Sequence, residues 1–173
     1  MLTFTLKFLG SRWVPRLTYS TRRSSIHAKE LILLEGRGME VTRRRLVNGV
    51  TSNSSSKVPL DQIYALEVCE VPATDEKFAG YMGCSVRALL GAAKSGTGVF
   101  IAGGGMQTEP IAFEHLVLGI LMHTDAIGNQ PLQQGGPLRV WFPPECGLRC
   151  GKGNNLAVKD VKNLTLTITP GAL

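Results

Sequence analysis

Short apolar segments that end at glycine or proline constrain the fold of this chain more than any other sequence feature. Residues 138–142 form such a segment and stop at Pro143-Pro144, while residues 164–168 alternate strictly between apolar and polar side chains. Both patterns are typical of β-strands. A third segment, residues 99–102, precedes the turn glycines 103–105. Together these segments predict a mixed α+β domain with a mostly β core and short helices.

The connecting segments indicate where helices and loops should lie. Ser85 is a good N-cap for a helix over residues 86–94, whose apolar side chains fall on one helical face. Residues 114–122 are strongly apolar and predict a second short helix, and residues 58–66 predict a short helix or turn. Residues 51–57 are mostly small and polar, so they predict an exposed loop.

Positive charge is concentrated near the start of the chain. Residues 1–50 contain ten lysines and arginines against three acids, and the remainder contains nine against ten, within a net charge of +6. Such asymmetry points to an arm that meets nucleic acid, an anionic membrane surface, an acidic partner or an import machinery. We therefore expect a basic N-terminal arm over residues 1–50 and one folded domain over residues 51–173.

Two interpretations of the arm stay open. Its first part lacks acids before Glu30 and mixes arginines with serines and threonines, which is typical of an organelle transit peptide. Alternatively, residues 2–8 alternate between apolar and polar with period two, which predicts a strand in a retained arm. In a retained arm, the residues expected to contact acidic side chains or lipid phosphates of a partner are Arg22, Arg23, Arg43, Arg44 and Arg45.

Several function classes are disfavoured by the residues themselves. The longest apolar stretch, residues 116–122, is far shorter than the roughly twenty residues of a membrane-spanning helix, so no transmembrane span is expected. Cys69 and Cys84 are far apart and Cys146 and Cys150 are spaced C-x3-C, unlike the tight pairs of a zinc site. One basic triplet without interleaved aromatic residues disfavours nucleic-acid binding. We expect no metal site and no catalytic residue.

A series of motifs resembles the molybdopterin-binding domain of the sulfite oxidase family. In chain order the motifs are Val86-Arg-Ala-Leu-Leu, Gly128-Asn-Gln-Pro-Leu, Gly135-Gly-Pro-Leu-Arg and Val158-Lys-Asp-Val. The resemblance covers residues 60–168 and is strongest from Val86 onward, and it implies the fold of that family. Enzymes of the family bind molybdenum through one cysteine thiolate, and Cys69 stands near the corresponding place.

The residues after Cys69 depart from the family pattern. The family follows its cysteine with Gly-Asn-Arg-Arg or a similar basic run that holds the pterin phosphate. Here Glu70, Asp75 and Glu76 follow Cys69, and no arginine occurs before Arg87. A doubly charged phosphate would meet repulsion from these acids. The resemblance therefore implies a degenerate domain without a cofactor.

These observations lead to one expected function and one alternative. The expected function is a non-catalytic accessory or scaffold subunit of a larger organelle membrane complex, either photosynthetic, such as a photosystem, or respiratory. The protein would lie peripherally at the chloroplast thylakoid surface or in a mitochondrion, with protein subunits as partners and contact with the membrane surface. The alternative is a small molybdopterin-dependent oxidoreductase in which Cys69 is the metal ligand.

Overall fold

The chain divides by its contacts into two compact units, Met1–Glu35 and Gly36–Leu173. The computed structural model describes residues 4–9, 12–17, 37–47, 50–148 and 157–168. In the first unit, strand β1 (Phe4–Leu9) pairs with the antiparallel strand β2 (Arg12–Leu17). The alternation at residues 2–8 thus overlaps a strand. The expected contact residues Arg22 and Arg23 lie outside the described residues.

The second unit is built from two five-stranded sheets. The strands of the first sheet are β3 (Gly38–Val47), β4 (Val50–Pro59), β7 (Thr97–Ala102), β8 (Ile111–Ala112) and β12 (Val161–Ile168). Their order is β4-β3-β12-β7-β8. The strands of the second sheet are β5 (Val68–Glu70), β6 (Met82–Ser85), β9 (Ile120–Thr124), β10 (Arg139–Trp141) and β11 (Ala157–Val158). Their order is β11-β10-β9-β6-β5.

Short helices connect the strands of the second unit. They are α1 (Leu60–Tyr64), α2 (Val86–Leu89), α3 (Phe113–Leu116) and a 3₁₀-helix at Pro144–Cys146. The predicted class, mixed α+β with a mostly β core, is confirmed. Within the described ranges, no helix has both the length and the apolar character needed to cross a membrane.

Strand β3 brings the basic triplet into the folded unit. β3 runs parallel to β12 and antiparallel to β4, and its residues Met39 and Val41 are buried in the core. The boundary between the units therefore falls between Glu35 and Gly36, whereas the sequence led us to expect it at residue 50. Apolar side chains at alternate positions hold β3 in place although it also carries Arg43, Arg44 and Arg45.

Residues 51–57 form most of β4, where the sequence predicts a loop. The prediction of exposure is confirmed, because all these residues are exposed, but the prediction of irregular structure is wrong. The backbone of β4 pairs with β3 over ten consecutive positions. A strand that is held by its backbone needs no apolar side chains. The small polar residues of β4 therefore give no alternating pattern from which a strand could be predicted.

Residues 114–122 are divided between α3 and β9, so the prediction of a single helix is wrong. All five residues of β9 are buried, because the strand lies in the middle of its sheet. A strand that is buried on both faces has a continuous apolar sequence, which periodicity cannot distinguish from a buried helix. The predicted helix over residues 86–94 is also shorter than expected. Ser85 caps it by accepting a hydrogen bond from the Arg87 N–H at 3.1 Å.

Two aromatic rings join the sheets of the second unit. Phe100 in β7 and Phe142, which follows β10, meet edge to face with their ring centroids 6.0 Å apart. Gly119 lies against Phe142, where a β-carbon would come within 2.6 Å of the ring. Trp141 and Phe142 are both buried, although neighbouring residues of a strand point to opposite faces. The second sheet therefore has apolar packing on both sides, one side against the first sheet.

Candidate functional site

The residue that the sequence offers as a metal ligand shares one face of the second sheet with a buried arginine. Cys69 in β5 pairs with Gly83 in β6. Gly83 pairs with Met122 in β9, and Met122 pairs with Arg139 in β10. Directly paired residues place their side chains on the same face. Cys69 and Arg139 therefore lie on one face, three strand spacings or roughly 14 Å apart.

The sheet face between Cys69 and Arg139 is covered by protein side chains. A buried apolar cluster lies there, consisting of Val71, Phe78, Ile120, Met122, Leu132 and Trp141. Cys69, Tyr81 and Ala157 are partly buried against this cluster. Val71 and Phe78 belong to the segment that connects β5 to β6, so this connection, residues 71–81, closes over the sheet.

Asp75 anchors the connecting segment to the sheet. Its Oδ1 accepts hydrogen bonds from the backbone N–H groups of Lys77 at 2.9 Å and Phe78 at 2.7 Å. Its Oδ2 accepts a hydrogen bond from Nε1 of Trp141 at 2.8 Å. Burial raises the pKa of the Asp75 carboxyl, but these hydrogen bonds outweigh burial and hold the pKa below its usual value. From the sequence, Asp75 is expected to repel a phosphate. In the structure it is buried instead, and its carboxylate accepts three hydrogen bonds from within the domain.

The side chain of Arg139, the last residue of the motif Gly135-Gly-Pro-Leu-Arg, is buried. It is 7% exposed, and its Cζ lies 4.7 Å from the centre of the Phe78 ring. Within the described part of the chain, its Nε has no hydrogen-bond partner and no carboxylate forms an ion pair with it. Burial lowers the pKa of Arg139, against an opposing effect of Tyr81. A buried cation without an anion is costly, so Arg139 is suited to hold an anionic group. The sequence does contain an indication of this burial, because Arg139 is the one charged residue in the apolar segment 138–142.

The described residues do not fit a molybdopterin in this arrangement. Cys69 is half-buried against apolar side chains, and its two neighbours on the strand, Val68 and the acid Glu70, are exposed. The groups that could hold the two ends of a pterin, Cys69 and Arg139, are separated by the buried side chains of Met122 and Phe78.

Two further buried polar atoms without a partner among the described residues belong to Tyr64 and to His123 of β9. The rings of Tyr64 and His123 meet edge to face with centroids 4.9 Å apart. Nδ1 of His123 lies 2.8 Å from Oγ1 of Thr124, while Nε2 of His123 and the hydroxyl of Tyr64 lack a partner among the residues described. Burial lowers the pKa of His123 to about 4 and raises the pKa of Tyr64 to about 12, the latter against an opposing effect of Arg37. Both side chains are neutral near pH 7, as expected for a packed core pair.

The three arginines of β3 differ in their surroundings. Arg43 donates from Nη1 to the Ser56 hydroxyl at 3.3 Å and from Nη2 to the Leu89 carbonyl at 3.1 Å. It therefore ties β3 to its neighbours in the fold. Arg44 and Arg45 are exposed, and neither forms an ion pair with any residue that the structure describes. Of the three expected arginines that lie in the described residues, Arg44 and Arg45 are the exposed ones.

No family model and no curated protein matches this chain. Three features of the described residues bear on function. These are the covered sheet face, the unpartnered Nε of the buried Arg139, and the exposed arginines Arg44 and Arg45.

Proposed function

We propose that this protein is a non-catalytic accessory subunit of a larger organelle membrane complex. Its domain would be a degenerate version of the molybdopterin-binding fold of the sulfite oxidase family, as the motif order from Val86 to Val161 suggests. The complex would be photosynthetic, such as a photosystem, or respiratory. The protein would bind it peripherally, at the thylakoid surface of a chloroplast or in a mitochondrion.

The covered face of the second sheet carries this proposal. A pterin between Cys69 and Arg139 would have to displace Phe78, whose burial stabilises the fold by about 1.5–3 kcal/mol. Moving the segment would also break the hydrogen bond between Asp75 and Trp141, and a bond to a charged group contributes about 1.5–3 kcal/mol. A cofactor would therefore have to offset several kcal/mol before it gained any net affinity. Side chains of the domain itself occupy the space between Cys69 and Arg139, where the cofactor would bind.

The end of the β3–β4 hairpin supports the accessory role. Leu46 is 49% exposed and Val50 is 68% exposed, and both lie close in sequence to the exposed Arg44 and Arg45. Protein interfaces are enriched in arginine and bury apolar side chains of this kind at their centres. The hairpin end therefore offers the mixture of charge and apolar surface that subunits bury on assembly.

A small molybdopterin-dependent oxidoreductase with Cys69 as metal ligand is the second candidate. The observation in its favour is the orphaned Nε of Arg139, because an anionic ligand would satisfy this buried guanidinium. It requires residues 71–81 to leave the sheet face when the cofactor binds.

Metal analysis and native fractionation of one sample separate the two candidates. For an accessory subunit, the protein from its source membranes migrates with a larger assembly and carries far less molybdenum than one atom per chain. A Cys69→Ser variant should migrate in the same way and match the wild-type free energy of unfolding to within about 1 kcal/mol. Nearly one molybdenum per chain, lost on Cys69→Ser, would contradict the proposal and support the oxidoreductase.

A further inference from the structure

Over residues 50–56, the outer edge of β4 has no strand partner among the residues that the structure describes. β4 is the outermost strand of the first sheet and is ten residues long. Sheet edges are normally protected from pairing by charges, proline, a bulge or a covering segment. Residues 50–56 carry no charge and no proline, and their register with β3 is regular throughout. Their side chains are all exposed.

One hydrogen bond shows which backbone groups of β4 point outward. The N–H of Leu60 donates to the carbonyl of Arg37 at 3.3 Å, and this bond brackets the pair formed by Gly38 and Pro59. That pair is therefore a non-hydrogen-bonded pair, and the two kinds of pair alternate along antiparallel strands. By this alternation, the residues of β4 whose N–H and C=O groups point away from β3 include Thr51, Asn53 and Ser55.

Arg44 and Arg45 make this edge positively charged on both faces. Arg44 pairs with Asn53 and Arg45 pairs with Ser52, so the two guanidinium groups project from opposite faces of the hairpin. The side chains of Asn53 and Ser52 are small and leave space above β4 for the longer arginines. The acid of β3, Glu40, is already engaged by side-chain hydrogen bonds within the sheet.

We propose that the β4 edge binds an extended segment of a partner protein by strand addition, and that acidic side chains of this segment pair with Arg44 and Arg45. The inference rests on the proposed accessory role and names its docking surface. Backbone hydrogen bonds to Thr51, Asn53 and Ser55 provide affinity without regard to sequence. The arginines select acidic segments, because an added strand alternates its side chains between the same two faces.

Two labelled peptides test the charge selection by fluorescence anisotropy with the full-length protein. The probe is an extended peptide that alternates valine and glutamate, and the comparison peptide has lysine in place of glutamate. We expect the glutamate peptide to bind at least about tenfold more tightly, and the double variant R44E/R45E to abolish this preference. Lys94→Glu, which changes an exposed lysine outside the sheets, should alter affinity by less than about twofold. Equal binding of the two peptides, or binding of neither, overturns the proposal.

Asn53→Pro tests the strand addition itself. Proline removes the outward N–H of Asn53 and blocks the edge with its ring, without removing a hydrogen bond to β3. Asn53→Ala is the matched control, because alanine keeps the N–H. We expect the proline variant to bind the glutamate peptide at least about tenfold more weakly and the alanine variant to stay within about twofold. Unchanged binding by the proline variant contradicts the inference. Thr51→Pro, nearer the end of the strand, gives the same test if Asn53→Pro does not fold.

Native fractionation of the same variants separates this inference from the proposed function. We expect wild type and Asn53→Ala to migrate with the assembly and Asn53→Pro to be released. If wild type migrates alone, the accessory role itself is wrong. If wild type and Asn53→Pro both migrate with the assembly, the accessory role stands and the β4 edge is not its docking surface. A wild-type dimer that Asn53→Pro dissociates would assign the edge to a second copy of the chain and overturn the proposal.

Discussion

Trp141 donates a hydrogen bond from Nε1 to Oδ2 of Asp75 at 2.8 Å, joining residues that are 66 positions apart in the chain. Trp141 is 3% exposed and lies in β10, whereas Asp75 lies in the segment that covers the second sheet. The bond therefore fastens the covering segment to the sheet. Without this bond, the covering segment that contributes Val71 and Phe78 to the apolar cluster would be held less firmly.

Replacing Asp75 with alanine should destabilise the protein by about 2–4 kcal/mol. Three N–H donors lose their acceptor, and a buried donor left unsatisfied costs about 1–3 kcal/mol. Urea unfolding measures the change. Asp75→Asn should cost less, because its amide oxygen still accepts hydrogen bonds. A double-mutant cycle with Trp141→Phe should give a coupling energy of at least about 0.5 kcal/mol, and additive effects would show that the bond is energetically silent.

His123 should make stability depend on pH in the mildly acidic range. Burial lowers its folded pKa to about 4, whereas a histidine in the unfolded chain titrates near 6.5. Between these pH values the unfolded chain holds a proton that the folded protein does not, so stability falls as the pH decreases from about 6.5 to about 4. The loss should approach about 3 kcal/mol at about 1.4 kcal/mol per pKa unit.

Urea unfolding of wild type and His123→Gln at a series of pH values measures this effect. The variant should lose most of the dependence in that range, because glutamine does not titrate. A His123 ring signal that titrates near pH 6.5 by NMR would contradict the burial of its imidazole.

Gly119→Ala should destabilise the protein by about 1–3 kcal/mol through overpacking. A β-carbon there would come within 2.6 Å of Cε1 of Phe142 and 3.0 Å of Cγ2 of Val86, both of them core side chains. Gly104→Ala is the matched control, since no atom lies within 4 Å of its added β-carbon. Thermal unfolding should therefore give a lower midpoint temperature for Gly119→Ala than for Gly104→Ala. Equal stability would show that Phe142 moves aside without cost.

The sequence predicts those strands that are bounded by glycine or proline or that alternate between apolar and polar side chains. β7 and β12 contain the predicted segments 99–102 and 164–168 completely, and β10 contains the middle three residues of the predicted segment 138–142, because glycine, proline or alternation marks these segments. β4 and β9 escape prediction for opposite reasons. β4 is held by its backbone alone, and β9 is buried on both faces, so neither shows alternation.

The candidate site was only partly predictable, because its arrangement depends on contacts between distant residues. The sequence locates Cys69 and the acids after it. It does not show that Asp75 turns inward to Trp141, or that Phe78 packs under Arg139, because such pairs become neighbours only when β10 enters the sheet. Nothing local distinguishes Asp75 from its exposed neighbour Glu76.

Deleting residues 1–35 should leave the second unit folded and, under the proposed accessory role, weaken its attachment to the assembly. All strands of both five-stranded sheets lie in Gly36–Leu173, so the truncated protein should keep one cooperative thermal transition. The deletion removes six of the basic residues of the arm, namely Lys7, Arg12, Arg16, Arg22, Arg23 and Lys29.

Ion pairs between the arm and a partner are screened by salt. The truncated protein should therefore dissociate from the assembly at lower salt than the full-length chain. A full-length R22Q/R23Q variant is the control that removes charge while keeping the chain. If truncation leaves the salt needed for release unchanged, the arm has no part in docking. Attachment then depends on the second unit, where Arg44 and Arg45 flank the β4 edge.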